Sequence, residues 1–562
     1  MTNMNGDFST LLKMPQNCRI NGIVKDNDGN SFILLTETIT VTSQNQTSQV
    51  DKARIKKLNN TATTLLGEYI FPAGCTGAGL AIDKNGDIYT SGYTTSQCPG
   101  INENSAQSTR SRLGLTGFII KFKGQSFDTI PEIIYATYLG SQPRLLPILP
   151  TVDLVNAIAV DSDGNAWVTG TTLTSFIILN RLIKIAEFPI SNDAYQSQPS
   201  GFMDAFITKI NSDGTQFLYS TYFGGQSIDI GNAIAIDNNN NVYVTGNADA
   251  QYGEAKVQEQ FNVTKNVFQE KFGGGSKGDA FVIKLDNLGS VKYCSYLGGN
   301  GNDNGLAIAC DNAGNCYIVG TTTGNFEITK DAYQKVYYAD EQTIYIAKIN
   351  PDGTNLDYAS YFGGCNNNLP TALKIDELEN IVMVGKTNSS DFQTTGGAFK
   401  PRLSGPEDGF LSKFNITNNT LLYSTFIGGT QNDNVAALAL GDSTMVYISG
   451  ETNSEDFPTF PDNVYGKDYT SKSNDGFAMK IPTENAPLVN IKGAYHSLKE
   501  SKTPNRPGYV ANEIQTLARL STLHNLSYFD FENYQIQTET PLAFLNNPKI
   551  ESFVSLLLSI KN

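Results

Sequence analysis

The sequence predicts an all-β fold, a seven-bladed β-propeller of four-stranded antiparallel blades, with a small and mostly helical C-terminal tail. Three observations predict it. First, a phrase close to small-Ala-Ile-Ala-Ile-Asp-x-x-Gly-Asn-x-Tyr-Val-x-Gly occurs seven times, at Gly22–Thr36, Ala78–Gly92, Asn156–Gly170, Asn232–Gly246, Leu306–Gly320, Thr371–Gly385 and Ala436–Gly450. Second, another phrase, Asp-Ala-Phe-x-x-Lys-Ile followed by Tyr-Ser-Thr-Tyr-Phe-Gly-Gly, alternates with it and is marked by Lys57, Lys121, Lys209, Lys284, Lys348, Lys413 and Lys480. Third, the β-branched and aromatic runs are short and separated by Asn, Asp and Gly. Recurrence of one supersecondary unit decides the fold, and radial repetition of small antiparallel sheets makes a propeller.

The copy from Asn232 justifies each element. Ala233–Ile236 is apolar and β-branched, a buried strand. Asp237–Asn241 is a turn, because Asp and Asn bond their own backbone and tolerate left-handed φ. Val242–Thr245 is the second strand, and Gly246 ends it. After a long loop, Ala280–Leu285 is the third strand, Asp286–Gly289 turns the chain, and Lys292–Leu297 is the fourth. The turn aspartates are Asp26, Asp83, Asp161, Asp237, Asp311 and Asp376; the seventh copy has Gly441-Asp442 there. The expected organisation is an N-terminal arm at 1–17 and blades at about 18–72, 75–140, 153–225, 228–299, 302–364, 367–429 and 433–498, the last strand lying near Leu488–Ala494. A C-terminal extension with two helices is expected at 499–562.

The run from Asp204 through Lys209 and Tyr219 to Ala233–Asp237, with the loop pieces Asp193–Gln196, Asp331–Gln334 and Asp456–Thr459, resembles the SBBP type of bacterial β-propeller repeat over about residues 18–496. The resemblance implies a propeller, often in surface or secreted proteins. It implies no reaction, since no catalytic residues define these repeats.

Composition narrows the function. The net charge is −15 and charged residues make up 17%, which argues against nucleic acid and anionic membranes as partners. The start, Met1–Asp7, has neither a basic n-region nor an apolar h-region, and no apolar run suits a transmembrane helix. Surface or particle association is the expectation that the resemblance favours; a cytoplasmic location stays open. Seven cysteines, Cys18, Cys75, Cys98, Cys294, Cys310, Cys316 and Cys365, read as buried thiols acting as small hydrophobes. Cys75 and Cys98 form the candidate disulfide.

Catalytic signatures are sparse. The two histidines, His496 and His524, lie at the C-terminal end; HExxH and phosphate-loop patterns do not occur. The reading is not an enzyme, with a lyase or hydrolase using paired carboxylates as the minor alternative. No cofactor is expected. Asp26, Asp28, Asp161 and Asp163 form calcium-loop-like turns but lack the distal Glu such a loop needs. The seven lysines read as contacts between blades, to an acidic group or a carbonyl. Aromatic pairs three apart, such as Tyr135/Tyr138 and Tyr293/Tyr296, face opposite sides of an outer strand, so one of each is expected to be exposed.

Variable loops on a rigid scaffold are the natural contact surface. Three insertions fall on the long-loop face near blades 2 to 4. They contribute Leu145, Leu146, Ile148 and Leu149; Phe176, Ile177, Ile178, Leu182 and Ile183; and Tyr252, Phe261 and Phe268. Either these apolar groups cover one another or plug the channel mouth, or they dock a protein or glycan ligand. In the tail, Ile550, Phe553, Val554, Leu557 and Leu558 form an apolar helical stripe. It either packs on the propeller or pairs with another copy or protein. The functional expectation is a non-catalytic binding module, with a structural component of a particle, appendage or surface assembly as the alternative.

Overall fold

The computed structural model describes residues 8–483 apart from 13–16, 44–45, 113, 144–150, 179–180, 249–260, 275–277, 338, 340, 442–443, 461–463 and 466–473. Its regular structure is β-strand, apart from one 3₁₀ turn at Gly124–Asp128. Each repeat runs as an antiparallel meander. In the fourth, the strands are Asp229–Ile236, Val242–Ala248, Asp279–Leu285 and Val291–Leu297, hydrogen-bonded in that order. The fifth and sixth repeats form separate sheets of the same order, from Asp303–Cys310 to Leu356–Phe362 and from Asn368–Ile375 to Thr420–Ile427. The first three join into one twelve-stranded sheet through short parallel contacts, Lys52 with Cys75 and Gly114–Leu115 with Thr151–Val152. First strands of successive repeats lie side by side, and Asp433–Leu440 of the last lies beside Cys18–Lys25 of the first, which closes a ring.

Two bulges recur, the first in all seven repeats and the second in the first six. One interrupts the first strand just before its small-residue run, as between Gly231 and Ala233 or Gly305 and Ala307. The other lies on the fourth strand opposite the marker lysine, where Leu218 is left unpaired beside Lys209 and Lys292 beside Lys284. A bulge bends the strand that carries the extra residue. Between sheets the core is apolar. Trp167, Ile207 and Tyr219 of one repeat pack with Val242, Phe281 and Ile283 of the next, all at most 2% exposed. Glycines of the turns between third and fourth strands complete the contact. At Gly214, Gly289 and Gly353, all with positive φ, an added Cβ would lie within 2.4 Å of the outer-strand ring of Tyr135, Tyr219 or Tyr293 on the preceding sheet.

The N-terminal residues correct the expected organisation. Phe8–Leu11 is no separate arm: it is the outermost strand of the last repeat's sheet, antiparallel to Asp475–Pro482. Phe8 and Leu11 are both 1% exposed, so the ends of the chain close the ring together. The strand expected near Leu488–Ala494 and the helical tail lie outside the described residues. The first repeat also differs from its long-loop siblings: a continuous hairpin of Ser31–Ser43 and Gln46–Leu58 replaces the loop. The tyrosine pairs are a further correction. Tyr135, Tyr138, Tyr293 and Tyr296 are all at most 6% exposed, because the long loops fold back over the outer strands. Backbone amides of Cys98 and Phe261, for example, donate to the hydroxyls of Tyr138 and Tyr296.

If the N-terminal strand holds the last sheet, Leu11→Ala costs about 2–5 kcal/mol, as for other buried leucines. The expected outcome is a lower melting temperature and faster hydrogen exchange in 475–482. An unchanged melting temperature would show the strand to be ornamental.

Candidate functional site

At the end of the ring where the tight turns lie, each turn aspartate is wrapped by its own backbone. Asp237 Oδ1 accepts from the amides of Asn239 and Asn241, at 2.9 and 2.8 Å, and Asn241 Nδ2 donates to Oδ2 at 2.8 Å. The second-strand aromatic lies beside it: Tyr243 Oη is 2.9 Å from Asp237 Oδ2 and 3.0 Å from the Gly314 carbonyl of the next repeat. The marker lysine stands over that ring. Lys284 Nζ is 4.9 Å from the Tyr243 ring centroid and donates to the Pro351 carbonyl of the next repeat at 2.9 Å. The preceding unit is Asp161, Trp167 and Lys209. There the ammonium sits 3.2 Å from the carboxylate, 5.0 Å from the ring, and donates to the Asn287 carbonyl. Burial works to raise the Asp161 carboxyl, but bonds from Asn165 and Lys209 outweigh it and hold the group below the usual carboxylate range. Lys209 and Lys284 therefore bridge sheets through a carbonyl of the next repeat, and Lys209 also pairs with the aspartate of its own repeat.

Among the tips of these turns in the second, third and fourth repeats lies a polar cavity of about 530 Å³. Ile82, Val160 and Ile236 contribute its apolar walls, and Lys84, Asp163, Ser212 and Asn238 contribute polar ones. The tips are tied together: Lys84 Nζ donates to the Ser162 carbonyl at 2.9 Å, and Ser162 and Asn240 exchange hydrogen bonds of 3.0 and 2.7 Å.

The opposite, long-loop end holds a second set of carboxylates. Asp204 and Asp229 flank Gly224, Asp279 and Asp303 flank Gly298, and Asp408 and Asp433 flank Gly428. All six are at most 2% exposed. A Cβ built on Gly298 would lie 2.9 Å from oxygens of both Asp279 and Asp303, so glycine is what admits the pair. Backbone amides supply donors: Gly225 to Asp229, Gly299 to Asp303, Gly429 to Asp433 and Gly273 to Asp279, at 2.6–2.8 Å. Oδ1 of Asp279 and Oδ1 of Asp303 accept no hydrogen bond among the described residues. Burial, with the Asp303 charge adding to it, pushes the Asp279 carboxyl up to about 8, and burial pushes Asp153, Asp204 and Asp433 up to about 6. The opening Asp of the second sequence phrase was the available signal for Asp204, Asp279 and Asp408; their partners Asp229, Asp303 and Asp433 open the first strands and stand outside both phrases.

The structure separates the other sequence candidates. Phe176, Ile177 and Ile178 lie on strand Ser175–Ile178, which pairs with Arg181–Lys184 carrying Leu182 and Ile183. Phe261 belongs to the core rather than to a docking face: it is 5% exposed and packs on Phe223, Phe281 and Tyr296. Phe268 is half-buried against the cluster of the next sheet. Leu145, Leu146, Ile148, Leu149, Tyr252, Ile550, Phe553, Val554, Leu557 and Leu558 lie outside the described residues. Asp26 and Asp161 spend their carboxylates on turn amides, including those of Asp28 and Asp163 at 3.0 Å. Among the described residues no three His, Cys, Asp or Glu side chains gather as a metal site, and no helix is long and apolar enough to cross a membrane.

Comparison with known proteins agrees with this architecture. The β-propeller repeat family SBBP matches residues 63–97, 134–177, 218–253 and 292–327, so the chain is a β-propeller repeat protein carrying SBBP repeats. None of the curated proteins compared matches it in sequence. Similar solved structures include BamB from Moraxella catarrhalis, at 11% identity, TM-score 0.36, and 84% and 98% coverage of this chain and that one. An ulvan-type polysaccharide lyase shows 11% identity, TM-score 0.41, and 88% and 99% coverage. The acylaminoacyl peptidase of Pyrococcus horikoshii shows 9% identity, TM-score 0.38, and 79% and 50% coverage.

Two predictions follow from the two ends. Tyr243→Phe removes the hydroxyl beside Asp237 and Gly314 and is expected to cost about 1–3 kcal/mol in urea unfolding; no change would show the hydroxyl to be dispensable. The raised carboxyls act in the other direction from an ordinary acid denaturation. Their folded pKa values exceed the unfolded value of about 3.9, so their stabilisation is full below that value and is lost as pH rises through 6 to 8. The melting temperature is expected to fall between pH 5 and 9, less steeply in Asp279→Asn. A flat or rising profile would contradict the assignment.

Proposed function

We propose that the chain is a seven-bladed propeller of four-stranded blades, and that it works as a non-catalytic module docking a protein on its long-loop face. The ribbon Ser175–Lys184 carries the reading. Its two strands pair with each other and with no strand of the ring. The register opposes Phe176 to Ile183 and Ile177 to Leu182. Both strands are apolar at successive positions, Phe176-Ile177-Ile178 and Leu182-Ile183. A two-stranded ribbon is marginal in water by itself, and a partner packing on it gains roughly 25 cal/mol per Å² of apolar surface buried.

The commitment of the recurring lysines and turn aspartates to one another supports a scaffold rather than a reaction centre. A second reading, a small polyhydroxylated or glycan ligand, is favoured by the polar cavity among the tight turns. A photo-reactive side chain placed at 177 or 182, with one at exposed Ile134 as control, separates the readings. Adducts to protein specific to 177 and 182, abolished by Ile177→Asp with Leu182→Asp, are the expected result. Equal labelling at Ile134 would remove the proposal. Glycan-array binding lost on Asp163→Ala and Lys84→Ala would move the function to the cavity.

A further inference from the structure

We propose that Cys75 and Cys98 form a redox-active dithiol whose oxidation clips the long loop of the second repeat onto its own sheet. The two Sγ atoms lie 4.0 Å apart. Cys75 opens the first strand of the repeat, at its long-loop end, and is paired in register with Thr94 at the end of the second. Cys98 lies four residues beyond Thr94, in the loop that leads to the third strand. A bond between them therefore joins the inner strand directly to the loop. A disulfide needs its sulfurs about 2.05 Å apart, so the pair is a contacting dithiol here and closes only on oxidation.

The surroundings favour one thiol as the attacking group. The Cys75 sulfur has Thr94 Oγ1 at 3.3 Å, Ser96 Oγ at 3.7 Å and the Cys98 thiol itself as hydrogen-bond partners. The bond from Cys98 leads these in holding the Cys75 thiol below its ordinary value against burial, while the contact with Cys75, with burial adding to it, raises Cys98. One low and one high thiol in contact is the arrangement of an attacking and a resolving cysteine. Burial alone raises Cys294, and it leads in raising Cys18, Cys310 and Cys316.

The oxidant is a small-molecule disulfide. The Cys75 thiolate attacks one of its sulfurs, the small S–S bond breaks and one small thiolate leaves, to be protonated by water. Cys98 then gives up its proton and attacks the Cys75 sulfur of the mixed disulfide, releasing the second small thiol. One protein S–S bond forms, two S–H bonds are lost, and two electrons pass to the small disulfide. Both thiols are at most 2% exposed, so the first attack requires local opening of the loop. Once formed, the bond opposes the same opening.

The test equilibrates the full chain with oxidised glutathione under native conditions, followed by non-reducing digestion and mass spectrometry. The expected result is a linked peptide containing Cys75 and Cys98, lighter by two hydrogens, with a melting temperature above that of the reduced protein. Cys98→Ser is expected to stop at a glutathione adduct on Cys75, and Cys75→Ser to give neither product. Three results would overturn the proposal: both thiols still alkylatable after oxidation, linkage only in denaturant, or linkage of Cys310 to its cross-strand neighbour Cys316 instead. Should either serine variant fail to fold, the alkylation pattern of the wild-type chain decides alone.

Discussion

The turn aspartate of each repeat sits at the junction of two sheets, where a carboxylate without donors would cost several kcal/mol. Donors arrive from three directions: its own turn amides, the aromatic of the second strand and the marker lysine of the third. Two of those partners also bond the next repeat, Tyr243 at Gly314 and Lys284 at Pro351. Ion pairs this buried add little net stability, since desolvation offsets their attraction. The apolar clusters between sheets supply the driving force, but apolar contact is non-directional and would tolerate sliding. The polar unit does not, and it sets the angle and height at which each sheet meets its neighbour.

Repeats that lack a member show how the unit is partitioned. In the sixth, Val382 occupies the aromatic position, and Lys413 closes on Asp376 at 2.8 Å, nearer than the 3.2 Å of Lys209 to Asp161 beside Trp167. In the seventh, Gly441 replaces the aspartate and Lys480 stays over the Tyr447 ring at 5.4 Å. Either the ring or the carboxylate suffices to hold the ammonium. The repeated geometry thus survives sequence drift at one position at a time, which is why the lysine is the steadiest marker in the chain.

What could be read in advance follows the same division. Strands, turns and the lysine's bridging role are local or recurrent, and a seven-fold repeat states them again and again. The closing strand is neither: Phe8–Leu11 is four residues, half of them polar, and its hydrogen-bond partner at Pro458 is 449 positions from Ser9. No periodicity carries that pairing. The tyrosines of the outer strands were misread as exposed because strand geometry places one of each pair outward, whereas the loop residues that cover them, Tyr195 and Gln196 among them, act across the loop rather than along the strand. Phe261, which the sequence leaves as either a covering or a docking residue, caps the sheet beneath it through the same kind of contact. The carboxylate pairs at the long-loop end were visible as letters, but only the approach of two sheets to one glycine makes them a pair.

The route of the chain also separates the two places where a partner has reason to bind. Third strands run from the long-loop end to the tight-turn end, so Asp475–Pro482 delivers the chain to the tight-turn end, where the Thr483 amide donates to the Thr444 carbonyl. The ribbon at 175–184 leaves from the other end. Thr483 therefore lies on the face opposite the ribbon, beside the seam that the N-terminal strand closes. Because that seam joins the two ends of the chain, it is the most non-local contact in the ring, and non-local pairing is the slow step of β folding.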